Sequence, residues 1–348
     1  MAIIDYKFIK EEETTMDVFQ GNAFYFDWEV AAQAWLNNSI ADNKILTEIV
    51  SFFTMFGEEL VLIAVLGFLY WCYDKKFGKF VGTNILVGLV LLPMLKNIFF
   101  RRRPYFDHES IKILKPVDSS ADIYDISAQG YSFPSGHTTT ATPIYGGLAV
   151  STWKKLRWIS VLCIICIAIT GFSRNYLGVH TPQDVLVGLT EGALALWGMA
   201  VLFKYLEKHP EKENIFLAAG IVFCIGALIY ITLKSYPMDY DADGALLVDP
   251  QKMMRDGYSD IGKFMAFCAA RFIEKTWVKY SPALTQKTLA AGLVGAVLTF
   301  FIIDTVKSPL RSVLGQNWGA FAASAVIVSF IVVIWPAIMK AVAGKDKN

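Results

Sequence analysis

The sequence predicts an all-α protein, a polytopic membrane bundle of about nine transmembrane helices. Three observations carry that expectation. Of its 348 residues, 55% are hydrophobic and only 18% charged. The mean hydropathy is +0.43. Apolar runs of about 20 residues, the length that crosses a bilayer as a helix, recur along the chain. A net charge of +1 leaves no electrostatic footprint for nucleic acid, so no nucleic-acid partner is expected.

In chain order, the start "MAIIDYKFIKEEETTMD" lacks an apolar core, so no cleaved signal peptide is expected. "FDWEVAAQAWLNNSI" follows, with Trp28, Ala31, Trp35 and Leu36 on one helical face and Asp27 and Glu29 opposing a span. That pattern predicts an amphipathic helix lying in the membrane interface, within an extracytoplasmic segment 1–47. The nine expected spans lie near 48–73, 77–100, 137–153, 157–173, 182–205, 213–233, 259–276, 288–304 and 317–339. Lys263, Arg271 and Glu274 make the seventh the weakest. The first six form a membrane core over 48–233, and 234–348 adds a three-helix membrane region.

Basic residues set the orientation. "YDKKFGK", "WKKLR", "FKYLEKHPEKE", "IEKTWVKYSPALTQK" and "KAVAGKDKN" each carry three Lys or Arg and alternate with longer, more acidic connections. The positive-inside rule places the basic set and the C-terminus in the cytoplasm. "FFRRRPYF" breaks the rule on the outer face, so its arginines serve something other than topology. The five cysteines, including the pair Cys163 and Cys166 in "WISVLCIICIAIT", read as small apolar packing residues rather than a disulfide or metal set.

With this topology three polar clusters meet at one depth: "LKNIFFRRRP", "PSGH" and "GFSRNYLGVHTPQD". A helix N-terminus with free N–H groups suits an anion, Gly136 lets backbone approach it closely, and Ser135 adds a hydroxyl. Lys96, Arg103 and Arg174 bring three positive charges to the same place. His180 precedes "TPQD", where Thr181 is the expected N-cap, Pro182 the first helical residue and Asp184 the third. Asp184 can then orient one ring nitrogen and leave the other free to attack, while His137 can protonate a leaving oxygen. Glu58, Glu59, Glu191 and Lys263 are charges inside spans, expected to pair within the bundle, with Lys263 the best outside candidate for a head group.

These residues resemble a family signature. K-x6-R-P from Lys96 to Pro104, P-S-G-H at 134–137 and S-R-x5-H-x3-D from Ser173 to Asp184 are similar to the three motifs of the type 2 phosphatidic acid phosphatase superfamily, in order and without substitution. The resemblance implies a six-helix catalytic core and a phosphatase that uses neither metal nor cofactor. His180 would be the nucleophile forming a phosphohistidine, Asp184 its partner and His137 the general acid. Lys96, Arg103, Ser135, Gly136 and Arg174 would bind the phosphoryl oxygens. Arg101 and Arg102 lie outside the motifs, and no role is carried over to them. The nine-span layout is similar to sphingosine-1-phosphate phosphatases and glucose-6-phosphatase. The expected substrate is an amphiphilic lipid phosphate monoester hydrolysed at the outer face of a bacterial plasma membrane. A polyprenyl pyrophosphate phosphatase or a lipid phosphotransferase is the enzymatic alternative, and a lipid or anion transporter the non-enzymatic one.

Overall fold

A computed structural model describes residues 24–40, 43–116, 122–126, 128–241 and 243–344. The expectations for residues 1–23 lie outside them. Among the described residues there are thirteen α-helices and one two-stranded hairpin. The chain is an all-α integral membrane protein. The helices are α1 (Asp27–Ile40), α2 (Lys44–Thr54), α3 (Glu59–Phe68), α4 (Lys75–Phe99), α5 (Pro104–Asp107), α6 (Gly136–Thr152), α7 (Arg157–Tyr176), α8 (Pro182–Lys208) and α9 (Glu213–Leu233). The hairpin β1 (Asp239–Tyr240) and β2 (Leu246–Val248) follows, then α10 (Pro250–Ile273), α11 (Gln286–Leu314), α12 (Gln316–Ser329) and α13 (Trp335–Gly344).

All nine expected spans are helical, but among the described residues only six helices are long and apolar enough to cross a membrane: α4, α7, α8, α9, α11 and the joined α12–α13. The other three depart for separate reasons. The segment 48–73 is divided between α2 and α3 by a turn over Met55–Glu58. A Cβ on Gly57 would lie 2.8 Å from the Cβ of His137 and 2.9 Å from the Thr170 methyl, so only glycine lets this turn press against α6 and α7. α6 stops at 17 residues. α10 carries several charged residues along its length and is correspondingly polar.

The core explains why the charged α10 is tolerated. Val90 of α4, Cys224 and Ile231 of α9, Ile261, Phe264 and Cys268 of α10, and Trp335 of α13 share one buried cluster, so the last helices pack onto the first bundle through a common apolar centre. A second cluster, around Val81, Ile85, Ala141, Ile144 and Cys163, joins α4, α6 and α7. All five cysteines are free thiols, four of them buried. The outward faces stay apolar, as with Trp197, Val201, Phe300 and Phe301, which suits lipid as solvent.

α4 rises over its 25 residues by about 37 Å and separates two polar ends. One end holds Lys75, Lys79, Glu213, Arg271 and Glu274 in a chain of ion pairs, with Lys75 to Glu274 at 2.7 Å and Lys79 to Glu213 at 2.8 Å. The other end gathers the three sequence motifs. α4 closes there at Phe100, whose left-handed backbone (φ 48°) is unusual for an aromatic residue. The Phe100 ring is held between Tyr131, 5.2 Å away, and the ammonium of Lys234 at 4.4 Å.

Candidate active site

Each motif residue sits where a helix begins or ends. Lys96 lies in the last turn of α4, and its Nζ donates to the Tyr131 carbonyl. Ser135 is the N-cap of α6, Gly136 its first residue and His137 its second. Ser135 Oγ and Thr170 Oγ1 are buried with no hydrogen-bond partner among the described residues. Arg174, in the last turn of α7, is buried and donates from Nη1 to Thr54 Oγ1 at 2.9 Å. Thr181 caps α8, Pro182 is its first residue, and Asp184 Oδ2 accepts the Thr181 N–H at 2.8 Å. α6 and α8 meet so closely that a Cβ on Gly188 would stand 2.2 Å from Thr138 Oγ1 and 2.7 Å from the Ser135 carbonyl oxygen. That contact ties the entrance of α6 to the helix carrying Asp184, and Ser135 N donates to the Asp184 carbonyl at 3.0 Å.

The imidazole of His180 lies between opposite charges. Arg103 Nη1 donates to the Val179 carbonyl at 2.9 Å and stands 3.3 Å from His180 Nε2. A guanidinium can only donate, so Nε2 must present its lone pair. The proton then belongs on Nδ1, which faces Asp184 Oδ2 at 3.5 Å. Burial first, and then Arg103, Arg174 and Lys96, push the pKa of His180 well below its ordinary 6.5. A neutral imidazole with an unprotonated Nε2 is what nucleophilic attack needs. His137 lies within electrostatic range of Arg174, His180, Arg103 and Lys96, which brings both histidines and all three cations to one pocket.

The sequence reading missed the neighbours of Asp184. Arg101 is fully buried and bridges two carboxylates, Asp184 Oδ1 at 2.8 Å and Glu29 Oε1 at 2.6 Å. Its guanidinium also lies over the rings of Phe24 and Tyr25, at 4.8 and 4.5 Å. Glu29 belongs to α1, whose Trp28 and Trp35 face outward. The opposite stripe, Glu29, Gln33 and Asn37, is buried on the site. Gln33 Nε2 donates to the carbonyl of His180 at 2.9 Å, and Asn37 Nδ2 to the carbonyl of Lys112 at 2.8 Å. The four-residue spacing of Glu29, Gln33 and Asn37 was the available signal, and on a helix it makes a single stripe.

Arg102 turns the other way. Its Nε donates to both oxygens of Asp239 at 3.0 and 3.1 Å, and Nη2 donates to the Tyr240 carbonyl at 2.9 Å. This anchors the hairpin that the all-α expectation did not include. Its tip is made by Gly244 (φ 82°) and by Asp241, whose side chain accepts from the backbone of Asp243 and Ala245. Leu247, Val248 and Met253 then pack on Tyr131 beside Lys96. The three consecutive arginines thus reach the N-terminal helix, the hairpin and His180 in turn.

The in-span charges are held inside the bundle. Glu191 accepts from Thr139 Oγ1 at 3.1 Å, and Lys263 pairs with Asp260 at 3.0 Å. Glu58 is half-buried at the α2–α3 break, and the side chain of Glu59 lies outside the described set.

Comparison with known proteins bears on this geometry. Residues 77–208 match the model of the PAP2 superfamily. Sphingosine-1-phosphate phosphatase 2 of Homo sapiens is 25% identical over 300 residues, 83% of this chain and 71% of the relative. Undecaprenyl-diphosphatase BcrC of Bacillus subtilis is 29% identical over 151 residues, 42% of this chain and 69% of the relative. Phosphatidylglycerophosphatase B of Bacillus subtilis is 28% identical over 198 residues, 52% and 81% of the two. A crystal structure of a transmembrane PAP2-type phosphatidylglycerolphosphate phosphatase from Bacillus subtilis superposes with a TM-score of 0.40 and 22% identity, over 52% of this chain and 89% of that one. The matched relatives are phosphatases. The segment 77–208, which runs from α4 to the end of α8 and contains every motif residue of the site, is what matches the PAP2 superfamily model.

Proposed function

We propose that this protein is a membrane phosphatase that hydrolyses a lipid phosphate monoester through a phosphohistidine. The observation that carries the reading is the placement of His180, with Nε2 turned to the Arg103 guanidinium and Nδ1 to Asp184. The buried charges support a phosphate ligand. Arg101, Arg103 and Arg174 set against Glu29 and Asp184 leave one positive charge, and protonated Lys96 beside them brings the total to two, close to the roughly −1.5 to −2 of a phosphate monoester.

In the reaction, Arg103 shifts its donor from Nε2 to a phosphoryl oxygen as substrate enters. Nε2 attacks phosphorus, and the P–O bond to the lipid breaks with its electron pair on the leaving oxygen. His137, protonated when the anionic substrate binds, gives its proton to that oxygen and is left neutral. Asp184, 3.5 Å from Nδ1, stabilises the charged ring, as carboxylates do in such pairs. Water, deprotonated by His137, then attacks the phosphohistidine, releasing phosphate and restoring neutral His180. Lys96, Arg103, Arg174, Ser135 and the α6 N-terminus with Gly136 supply the electrostatic stabilisation of the five-coordinate phosphorus.

The test is phosphate release in detergent from phosphatidate, a sphingoid phosphate, phosphatidylglycerophosphate and a polyprenyl diphosphate. At least one monoester is expected to be hydrolysed faster than the diphosphate. Activity should survive chelator and be blocked by vanadate, because side-chain cations do the electrostatic work. Loss in chelator with recovery on adding Mg²⁺ would defeat the mechanism, and release from the diphosphate alone would replace the substrate.

The basic connections with Lys75, Lys155, Lys208, Lys212 and Lys275 lie at the end opposite His180, which supports a site on the extracytoplasmic face. A cysteine replacing exposed Tyr124 is expected to react with an impermeant thiol reagent on intact cells, and one replacing Lys155 only after permeabilisation. The reverse labelling pattern inverts the orientation.

A further inference from the structure

We propose that α1 belongs to the catalytic apparatus: Glu29 is a positioning residue that acts on Asp184 through Arg101, while Gln33 fixes the backbone of His180. The inference rests on reading His180 as the nucleophile.

The geometry is continuous and buried. Glu29, Arg101 and Asp184 are each fully buried. Arg101 divides its fork between the two carboxylates, at 2.6 Å to Glu29 and 2.8 Å to Asp184. The second oxygen of Glu29 is not idle, for it accepts the N–H of Gln183 at 3.1 Å, in the first turn of the helix that carries Asp184. One carboxylate from outside the PAP2 segment therefore holds both the partner of Asp184 and the backbone beneath it. A turn further along α1, Gln33 donates to the His180 carbonyl, which also receives Asn175 Nδ2 at 2.8 Å. The backbone of the nucleophile is thus gripped from α1 and from α7, and Asn37 secures the next turn through the carbonyls of Lys112 and Tyr176.

The charge balance explains why a carboxylate is needed at 29. A lone Arg101 would place its whole charge on Asp184 and weaken the electrostatic attraction of Asp184 for the protonated Nδ1, 3.5 Å away. With Glu29 neutralising part of that charge, Asp184 keeps enough basicity to orient His180 and to stabilise its charged form. Glu29 touches neither the phosphoryl oxygens nor Nε2, so its contribution belongs to turnover rather than to substrate binding.

Glu29→Gln separates this role from simple packing. The groups facing the His180–Asp184 pair are Lys96 on α4, Arg101 and Arg103 after it, His137 on α6, Arg174 on α7, Glu29 on α1 and Tyr25 just before it. Removing one negative charge from this set makes protonation of His180 harder. The acid limb of kcat/KM, which reports neutral His180, should therefore move to lower pH. Loss of orientation should cut kcat by about tenfold or more, with KM changed by less than about threefold.

Glu29→Asp keeps the charge but shortens the reach, so kcat should fall while the acid limb stays in place. Rates are taken per vanadate-binding site, which counts folded enzyme. If Glu29→Gln retains the wild-type kcat and limb per folded site, the proposal is overturned. If Glu29→Gln does not fold, Glu29→Asp decides alone, because a wild-type kcat per site would equally overturn it. Wild-type enzyme run beside the variants distinguishes the two levels of inference. Absence of phosphate release from every ester in wild type removes the phosphatase reading itself, whereas an active wild type with indifferent Glu29 variants removes only the role of α1.

Discussion

His180→Ala is expected to eliminate phosphoenzyme formation and turnover with every phosphate ester, because no other group stands where Nε2 stands. Nε2 faces the guanidinium of Arg103, with Arg174 and Lys96 nearby, and such cations do not attack phosphorus, while His137 sits on a different helix as the proposed acid. The loss should exceed about a thousandfold, the scale seen when a nucleophile is removed and only electrostatic binding remains.

His137→Ala behaves differently. A lipid alkoxide is a poor leaving group and needs a proton as the bond breaks, while nitrophenolate leaves unaided. The burst rate of phosphoenzyme formation should fall by about a hundredfold or more with a lipid phosphate and far less with nitrophenyl phosphate. Steady-state rates are not the measure, since His137 also activates the water of the second step. Equal burst losses for both esters would remove the acid role, and phosphoenzyme formed without His180 would remove the nucleophile. Because the pKa of His180 is lowered, the neutral nucleophile persists below pH 6.5, so the acid limb of kcat/KM belongs below the ordinary histidine range rather than on it.

Arg102→Ala is expected to lower stability by about 3–5 kcal/mol, the range for stripping one partner from a buried ion pair. Asp239 is fully buried and receives Arg102 through both Nε and Nη2, and the same guanidinium reaches Asp107 at 3.4 Å. Alanine leaves the Asp239 carboxylate without its guanidinium in a dry site and releases the hairpin from the end of α4. Thermal unfolding in detergent measures the loss, and limited proteolysis at the hairpin locates it. Adding Asp239→Asn should recover part of the stability, since the buried charge is then gone. An Arg102→Ala protein that melts with wild type, or an Asp239→Asn change that adds its full single-variant cost, would refute the coupling.

What was legible in the sequence follows from how the information is written there. Nine helical segments and the depth of the polar clusters come from local hydropathy, which needs no knowledge of neighbours. Lys96, Ser135, Gly136, His137, Arg174, His180 and Asp184 were readable because each occupies the end of a helix, where short motifs mark chain ends and turns. Even the Thr181–Pro182–Asp184 start of α8 was legible, since capping involves residues three apart.

Length and hydropathy were less informative about spans in 48–73, 137–153 and 259–276. The break at Gly57 exists to admit His137 and Thr170, and the charges of α10 are sheltered by packing on α4, α9 and α12. The hairpin escaped notice because its strands are two and three residues long and depend on Arg102 to hold them.

The sequence by itself determined a membrane helical bundle, the chemical groups of the proposed phosphate site and the helix ends that bear them, because these are recorded in local pattern. Only the tertiary structure decided what surrounds Asp184. Arg101 meets Glu29 across 72 positions and Asp184 across 83, and Arg102 meets Asp239 across 137. The physical reason is burial. In the chain alone, Glu29, Gln33 and Asn37 are the solvent side of an amphipathic helix, and three adjacent arginines are one basic patch. Once α1 lies over the site, that polar stripe is enclosed, and each buried charge must find its partner wherever the fold brings one.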